Sequence, residues 1–162
     1  GKEDAPDTLL GRVRVAFAAS DAVRKLNDSL NRGTAGYRSF AALLNERRVA
    51  LGLGALRLED TLTAASEMHS GDMLFQNYFA HNSTDGSKPG VRAKSAGFAG
   101  RLTGACIYRS SPDVQAAYKA WWLTPGFRAA MYSSDPDVIG LGNAENYWTL
   151  NIGTSGKQPD GP

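Results

Sequence analysis

Asn77-Tyr78-Phe79-Ala80-His81-Asn82-Ser83-Thr84-Asp85-Gly86-Ser87-Lys88-Pro89-Gly90-Val91-Arg92 is the stretch around which the chain is organised. It carries one of only two histidines. It closes a run of helical periodicity and opens into residues that favour turns, with Asp85-Gly86 the strongest of them. A histidine at the end of an aromatic-rich helix, held over a Ser/Asp/Gly loop, is placed to face a cleft. Any site in this chain is therefore expected to be built around His81.

Upstream, Thr61 to about Gln76 reads as a helix with Asp60 as N-cap. Leu62, Ala65, His69 and Met73 share one face, which makes His69 a core-edge histidine. Its ring nitrogens need partners if buried, from Ser70 or a backbone carbonyl. Leu56 and Leu58 alternate with Arg57 over a short extended link. Before it, Gly36 to Gly52 is helical, with an apolar stripe of Tyr37, Phe40, Leu44 and Leu51, and Gly52 and Gly54 end it. Residues 1–6 are polar and expected to fray, and Asp7 or Thr8 follows Pro6 as a cap. Leu10, Val13, Phe17, Val23, Leu26 and Leu30 then recur at helical spacing, as one bent helix or two short ones ending near Asn31-Arg32-Gly33. This stripe is expected to pack on the domain that follows. A linker helix docking a neighbouring domain or a partner is the other reading.

Downstream, Val91–Ala96 has room for one or two helical turns before Gly97-Phe98-Ala99-Gly100. Leu102–Tyr108 reads as a strand. Ser111-Pro112-Asp113 starts a helix, with Ser111 as cap and Pro112 in the first turn, and it runs through Val114, Ala117, Tyr118, Trp121 and Trp122. Pro125-Gly126 breaks it, and Phe127–Tyr132 is a further short helix. Val138–Gly142 and Tyr147–Ile152 are strands joined by a hairpin at Ala144-Glu145-Asn146. Trp148, Leu150 and Ile152 share one face of the second strand, and Thr149 and Asn151 the other. Helices first and an antiparallel hairpin last define an α+β domain with helices layered on a sheet. Residues 155–162 read as a disordered tail or linker.

The chain has 162 residues, enough for one domain with a substantial core. Hydrophobic residues make up 42% and charged residues 21%, an ordinary globular balance. A net charge of +2, with scattered basic residues, gives no ground for a nucleic-acid partner. No apolar run reaches the ~20 residues needed to span a bilayer. No signal peptide stands at Gly1, which leaves compartment open. The single cysteine rules out an internal disulfide.

Five landmarks resemble the CAP superfamily of cysteine-rich secretory, antigen 5 and pathogenesis-related proteins, and within it the bacterial SCP-like extracellular domains. They are Leu44-Asn45-Glu46-Arg47-Arg48 with Gly52-Leu53 and Leu56; Ala64-Ala65-Ser66-Glu67-Met68-His69-Ser70-Gly71-Asp72-Met73; Phe79-Ala80-His81 with Asp85-Gly86 and Arg92; Trp121-Trp122-Leu123-Thr124-Pro125-Gly126-Phe127-Arg128; and Ile139-Gly140-Leu141-Gly142 with Tyr147-Trp148. The resemblance covers roughly Tyr37 to Thr154. It implies a three-layer α–β–α sandwich with an open cleft, here as residues 35–154, with 1–34 an N-terminal helical extension outside it. It also implies a secreted or envelope-associated protein.

The departures bear on function. The resemblance implies a cleft that gathers a first-loop histidine, a glutamate from a Gly-Glu-Asn strand and a histidine from Ser-Pro-Gly-His-Arg. His81 matches the first. Gly104-Ala105-Cys106 puts Ala105 at the glutamate and Cys106 at the asparagine, and Phe127 stands at the second histidine. A catalytic zinc site uses about three protein ligands, and alanine and phenylalanine supply none. They also remove the paired titratable groups that acid–base chemistry needs. His81 is either a surviving binding or catalytic group or a local backbone cap. Cys106 is either a thiol beside His81 or a small buried hydrophobe. Arg128 is expected to pair with a carboxylate or cap the Phe127 turn. The leading expectation is a degenerate cleft lined by His81, Ala105, Cys106 and Phe127, without metal or other cofactor and without catalytic residues. It would belong to a monomeric, non-enzymatic module that binds a protein, an envelope component or a small apolar ligand. The rival is a hydrolase or other enzyme using His81 with Cys106 or with residues the sequence does not place.

Overall fold

Glycine decides how the helix carrying His69 meets the sheet. A Cβ added at Gly140 would stand 2.1 Å from the backbone carbon of Leu62, and one at Gly142 would stand 2.2 Å from the Glu67 nitrogen. Helix backbone therefore lies almost directly on strand backbone. The computed structural model describes residues 8–29 and 35–156. The expectations for the frayed start, the Asp7 cap, Leu30, the end of the first helix at Asn31-Arg32-Gly33 and residues 157–162 of the tail lie outside them.

The described chain runs α1 (Leu9–Ser29), α2 (Ala35–Ala50), β1 (Arg57–Leu58), α3 (Asp60–Gln76), α4 (Pro89–Ser95), β2 (Arg101–Arg109), α5 (Val114–Leu123), α6 (Pro125–Met131), β3 (Val138–Ala144) and β4 (Tyr147–Thr154). The sheet order is β1-β3-β4-β2. The short β1 pairs parallel with β3, and the other two pairings are antiparallel. The β2–β4 register shifts between Leu102 and Gly104, and the β3–β4 hairpin turns through Glu145 at φ 51°.

The α–β–α sandwich expected of an α+β domain is present. On one face, Ile139, Leu141, Cys106, Trp148, Leu150 and Ile152 pack with Tyr37, Phe40 and Leu44 of α2, Tyr118 and Trp121 of α5, and Met131 of α6. The Trp121 indole donates to the Ile107 carbonyl at 3.0 Å, which supplies the partner a buried indole needs. The other face lies under α3, where polar contacts stand between apolar ones of Leu62 with Val138 and of Met73 with Ile107 and Tyr147. Ser70 Oγ donates to the Gly142 carbonyl at 3.0 Å, and Asn151 Nδ2 donates to Ser66 Oγ at 2.9 Å. Thr149 and Asn151 thus face away from Trp148, Leu150 and Ile152, and both faces of β4 are buried. Arg48, 1% exposed, closes the α2 layer. Its guanidinium donates to the carbonyls of Gly54, Met131 and Ser133. Burial lowers its pKa to about 10, which leaves it charged at neutral pH.

Several caps differ from expectation. Glu59, not Asp60, caps α3, because its longer carboxylate reaches back to accept from the Leu62 N–H at 2.8 Å. Asp113, not Ser111, caps α5, so Pro112 precedes that helix rather than entering it. Ser111 Oγ instead accepts from the Asp113 N–H at 3.1 Å. Pro125 ends α5 and opens α6, where its missing N–H costs nothing.

The first helix docks on the domain, but not through the stripe that periodicity picked out. Leu10, Val13, Phe17 and Leu26 are each 45–59% exposed. The contact runs through Gly11, Ser20 and Asn27. Ser20 Oγ accepts from the Ala55 N–H, while Asn27 donates to the Leu56 carbonyl and accepts from the Leu58 N–H, both at 2.9 Å. One side-chain amide thus covers the free edge of β1 as a neighbouring strand would.

Candidate functional site

The loop after α3 begins at Asn77, in the left-handed region at φ 54°. This turn sends Tyr78–His81 back across the end of the helix. The Ala80 carbonyl is held by His69 Nε2 at 2.8 Å, which fixes the approach to His81. From the other side, α6 comes close to β2, where a Cβ on Gly104 would meet the Ala130 Cβ at 2.7 Å. The two elements bring His81 and Phe127 together, ring centroids 5.7 Å apart and planes at 70°. His81 is exposed and Phe127 half-buried. Desolvation and the positive charge of Arg92 both lower the His81 pKa, so the ring favours its neutral form.

The other two expected lining residues lie on β2, the edge strand, and point to opposite faces. Ala105 is half-buried and pairs with Asn151 in the register. Cys106 is fully buried in the core with Trp121 and Leu150, and burial pushes its thiol pKa up. A thiolate nucleophile requires the reverse on both counts. Among the described residues Arg128 neither pairs with a carboxylate nor caps the Phe127 turn. Its guanidinium donates to the Trp122 carbonyl at the end of α5, at 3.3 Å, and lies over the Trp122 ring. Trp121, Tyr147 and Trp148 are core residues.

A second concavity lies beside this pair, between α3, the 82–88 loop and α4, with a volume of about 520 Å³. His69, Asp72 and Gln76 line it from α3, Ser83, Thr84, Asp85 and Ser87 from the loop, and Val91 and Arg92 from α4. The sequence places His69 at the core edge with Ser70 or a backbone carbonyl as partner, and the partner is the Ala80 carbonyl. A carbonyl only accepts, so Nε2 carries the proton. Nδ1 is buried with no hydrogen-bond partner among the described residues. Desolvation, with Arg92 adding to it, lowers the His69 pKa and keeps the ring neutral. Nδ1 is then an unused acceptor. The spacing of His69, Asp72 and Gln76 on one helix face is visible in the sequence, but nothing there brings the loop and Arg92 over it.

Among the described residues no group of three or more His, Cys, Asp or Glu side chains is arranged to hold a metal ion. No described helix is long and apolar enough to cross a membrane.

The fold and the His81 loop place this molecule among the SCP-like domains. The chain belongs to the cysteine-rich secretory protein (CAP) family, whose model matches residues 41–151. It is 30% identical over 114 residues to the uncharacterized protein YkwD of Bacillus subtilis, covering 69% of this chain and 44% of that protein. It is 29% identical over 119 residues to the uncharacterized membrane protein YlbC of the same organism, covering 74% of this chain and 34% of that protein. The chain thus spans less than half the length of either relative. Among solved structures, an extracellular SCP-domain protein from Bacillus anthracis superposes with a TM-score of 0.69 at 25% identity, over 72% of this chain and 39% of that one. An outer surface protein from Borrelia burgdorferi shares the fold, with a TM-score of 0.67 at 19% identity over 74% and 92% of the two chains.

Proposed function

We propose that this SCP-like domain works outside the cell or at its envelope as a monomeric, non-enzymatic binding module whose family cleft has lost its polar chemistry. The observation that carries the reading is the phenyl ring of Phe127 set edge-on against His81 at 5.7 Å. A lone neutral imidazole beside an aromatic ring offers one hydrogen-bonding group and an apolar wall. Such a surface suits an apolar small molecule, an envelope component or a protein segment. It lacks the convergent donors that metal binding or acid–base catalysis needs. One structural neighbour is an extracellular protein and the other an outer surface protein, which supports the location.

An enzyme pairing His81 with Cys106 is the weaker reading, because the thiol is sealed in the core. Zinc titration by calorimetry on the purified domain, with His81→Ala as control, tests the proposal. The expected result is no saturable heat in either protein. Stoichiometric zinc binding that disappears in His81→Ala would overturn it and return metal chemistry to the cleft.

A further inference from the structure

We propose that the pocket between α3, the 82–88 loop and α4 is a second binding site, and that it takes a neutral saccharide. His69 is 1% exposed and lines the pocket, and its Nδ1 has no partner among the described residues. A buried imidazole nitrogen without a donor is costly, and native structures rarely leave one so. With Nε2–H committed to the Ala80 carbonyl at 2.8 Å, only an incoming O–H or N–H can satisfy it.

The charged groups around the pocket argue against an ionic ligand, because each is already engaged. Asp72 accepts from the Tyr78 hydroxyl and from Gln76. Arg92 donates to the Ser87 carbonyl at 2.9 Å and to Ser83 Oγ at 3.3 Å. Asp85 accepts from the Ser87 N–H at 2.8 Å. A cation would face Arg92 and an anion would face Asp72 and Asp85, so the lining, which carries both signs, repels a simple ion of either one. What remains are the loop hydroxyls of Ser83, Thr84 and Ser87, each able to donate and accept, together with the exposed apolar side chains of Met68 and Val91 on the two helices. Hydroxyls that both donate and accept, carried on a ring with an apolar face, match that lining. A volume of about 520 Å³ falls in the range of small-ligand pockets.

The pocket lining includes neither His81 nor Phe127, so zinc binding at His81 would sink the proposed function and leave this inference standing. Nitrogen NMR of the two imidazoles in the labelled domain tests it, with maltotriose and triacetylchitotriose as probes. Saturable binding of at least one sugar is expected to shift the His69 Nδ1 resonance, as a new donor reaches it. Val91 is 55% exposed, so Val91→Trp fills the pocket mouth without entering the core. That variant is expected to bind at least tenfold more weakly. The inference is overturned if neither sugar moves the His69 signal, or if binding is unchanged in Val91→Trp. Tighter binding of glucosamine or glucuronate than of either neutral sugar would overturn the assignment of a neutral ligand.

Discussion

Cys106 shows how a single position can carry two chemistries in sequence and one in structure. Beside a histidine in a cleft, a thiol becomes a nucleophile as its pKa falls. In the fold it sits on β2 directly across from Leu150 and is 0% exposed, and desolvation acts on it in the opposite direction. Strand alternation explains the difference, since Ala105 and Cys106 cannot both face the same side. Native protein is therefore expected to resist a thiol reagent near neutral pH and to label fully only in denaturant. The native labelling rate should be the same in His81→Ala. Rapid labelling of the folded wild type, slowed by that mutation, would show that the thiol reaches His81 after all.

At the level of elements, hydrophobic periodicity located the helices and strands well and misjudged some contacts, among them Leu51, which is 66% exposed just past the end of α2. The β3–β4 hairpin, the α3 helix and the short α6 all lie where their patterns put them, because apolar spacing and burial coincide there. For α1 the two part company, since Leu10, Val13 and Phe17 recur correctly while the buried positions are Gly11, Ser20 and Asn27. A polar side chain that completes a strand edge leaves no periodic trace. Asn27→Ala strands the Leu58 N–H and is expected to cost about 1–3 kcal/mol in a denaturant titration. Phe17→Ser, on the exposed side, should stay within about 0.5 kcal/mol of wild type. A reversed order would mean that the apolar stripe, not Asn27, holds the helix. The glycines of β3 make a sharper case. Gly140→Ala places a methyl within 2.1 Å of α3 backbone, which cannot rotate away as a side chain would. The expected loss is about 3 kcal/mol, the upper end for overpacking, or failure to fold. An unchanged melting temperature would show that α3 is free to lift from the sheet.

For the whole molecule, the family landmarks carried the architecture, while the site was legible only in part. Landmark order placed His81 and Phe127 on two separate segments, and the fold brings their rings together. It gave no sign that His69 would be left with an unused acceptor. That depends on the Asn77 turn delivering Ala80 to one nitrogen and on α4 carrying Arg92 alongside, contacts set by the path of the loop and not by the periodicity of either helix. The two histidines also link the molecule to pH. Both folded-state values lie below the ordinary 6.5, chiefly through desolvation, with Arg92 adding to the effect in each. At His69 the Ala80 bond and Asp72 oppose the shift, and His81 reinforces it. As pH falls below the ordinary value, the unfolded chain takes up protons at these positions before the native protein does. Their contribution to stability is therefore complete above about pH 6.5 and is lost as pH falls toward the depressed folded values. Calorimetric melting from about pH 7.5 to about pH 5 should show a falling transition temperature. In His69→Gln the fall should be smaller, because glutamine still offers an N–H to the Ala80 carbonyl and does not titrate. An equal fall in wild type and variant would mean that the acid sensitivity arises elsewhere in the chain and that His69 is not held neutral by the fold.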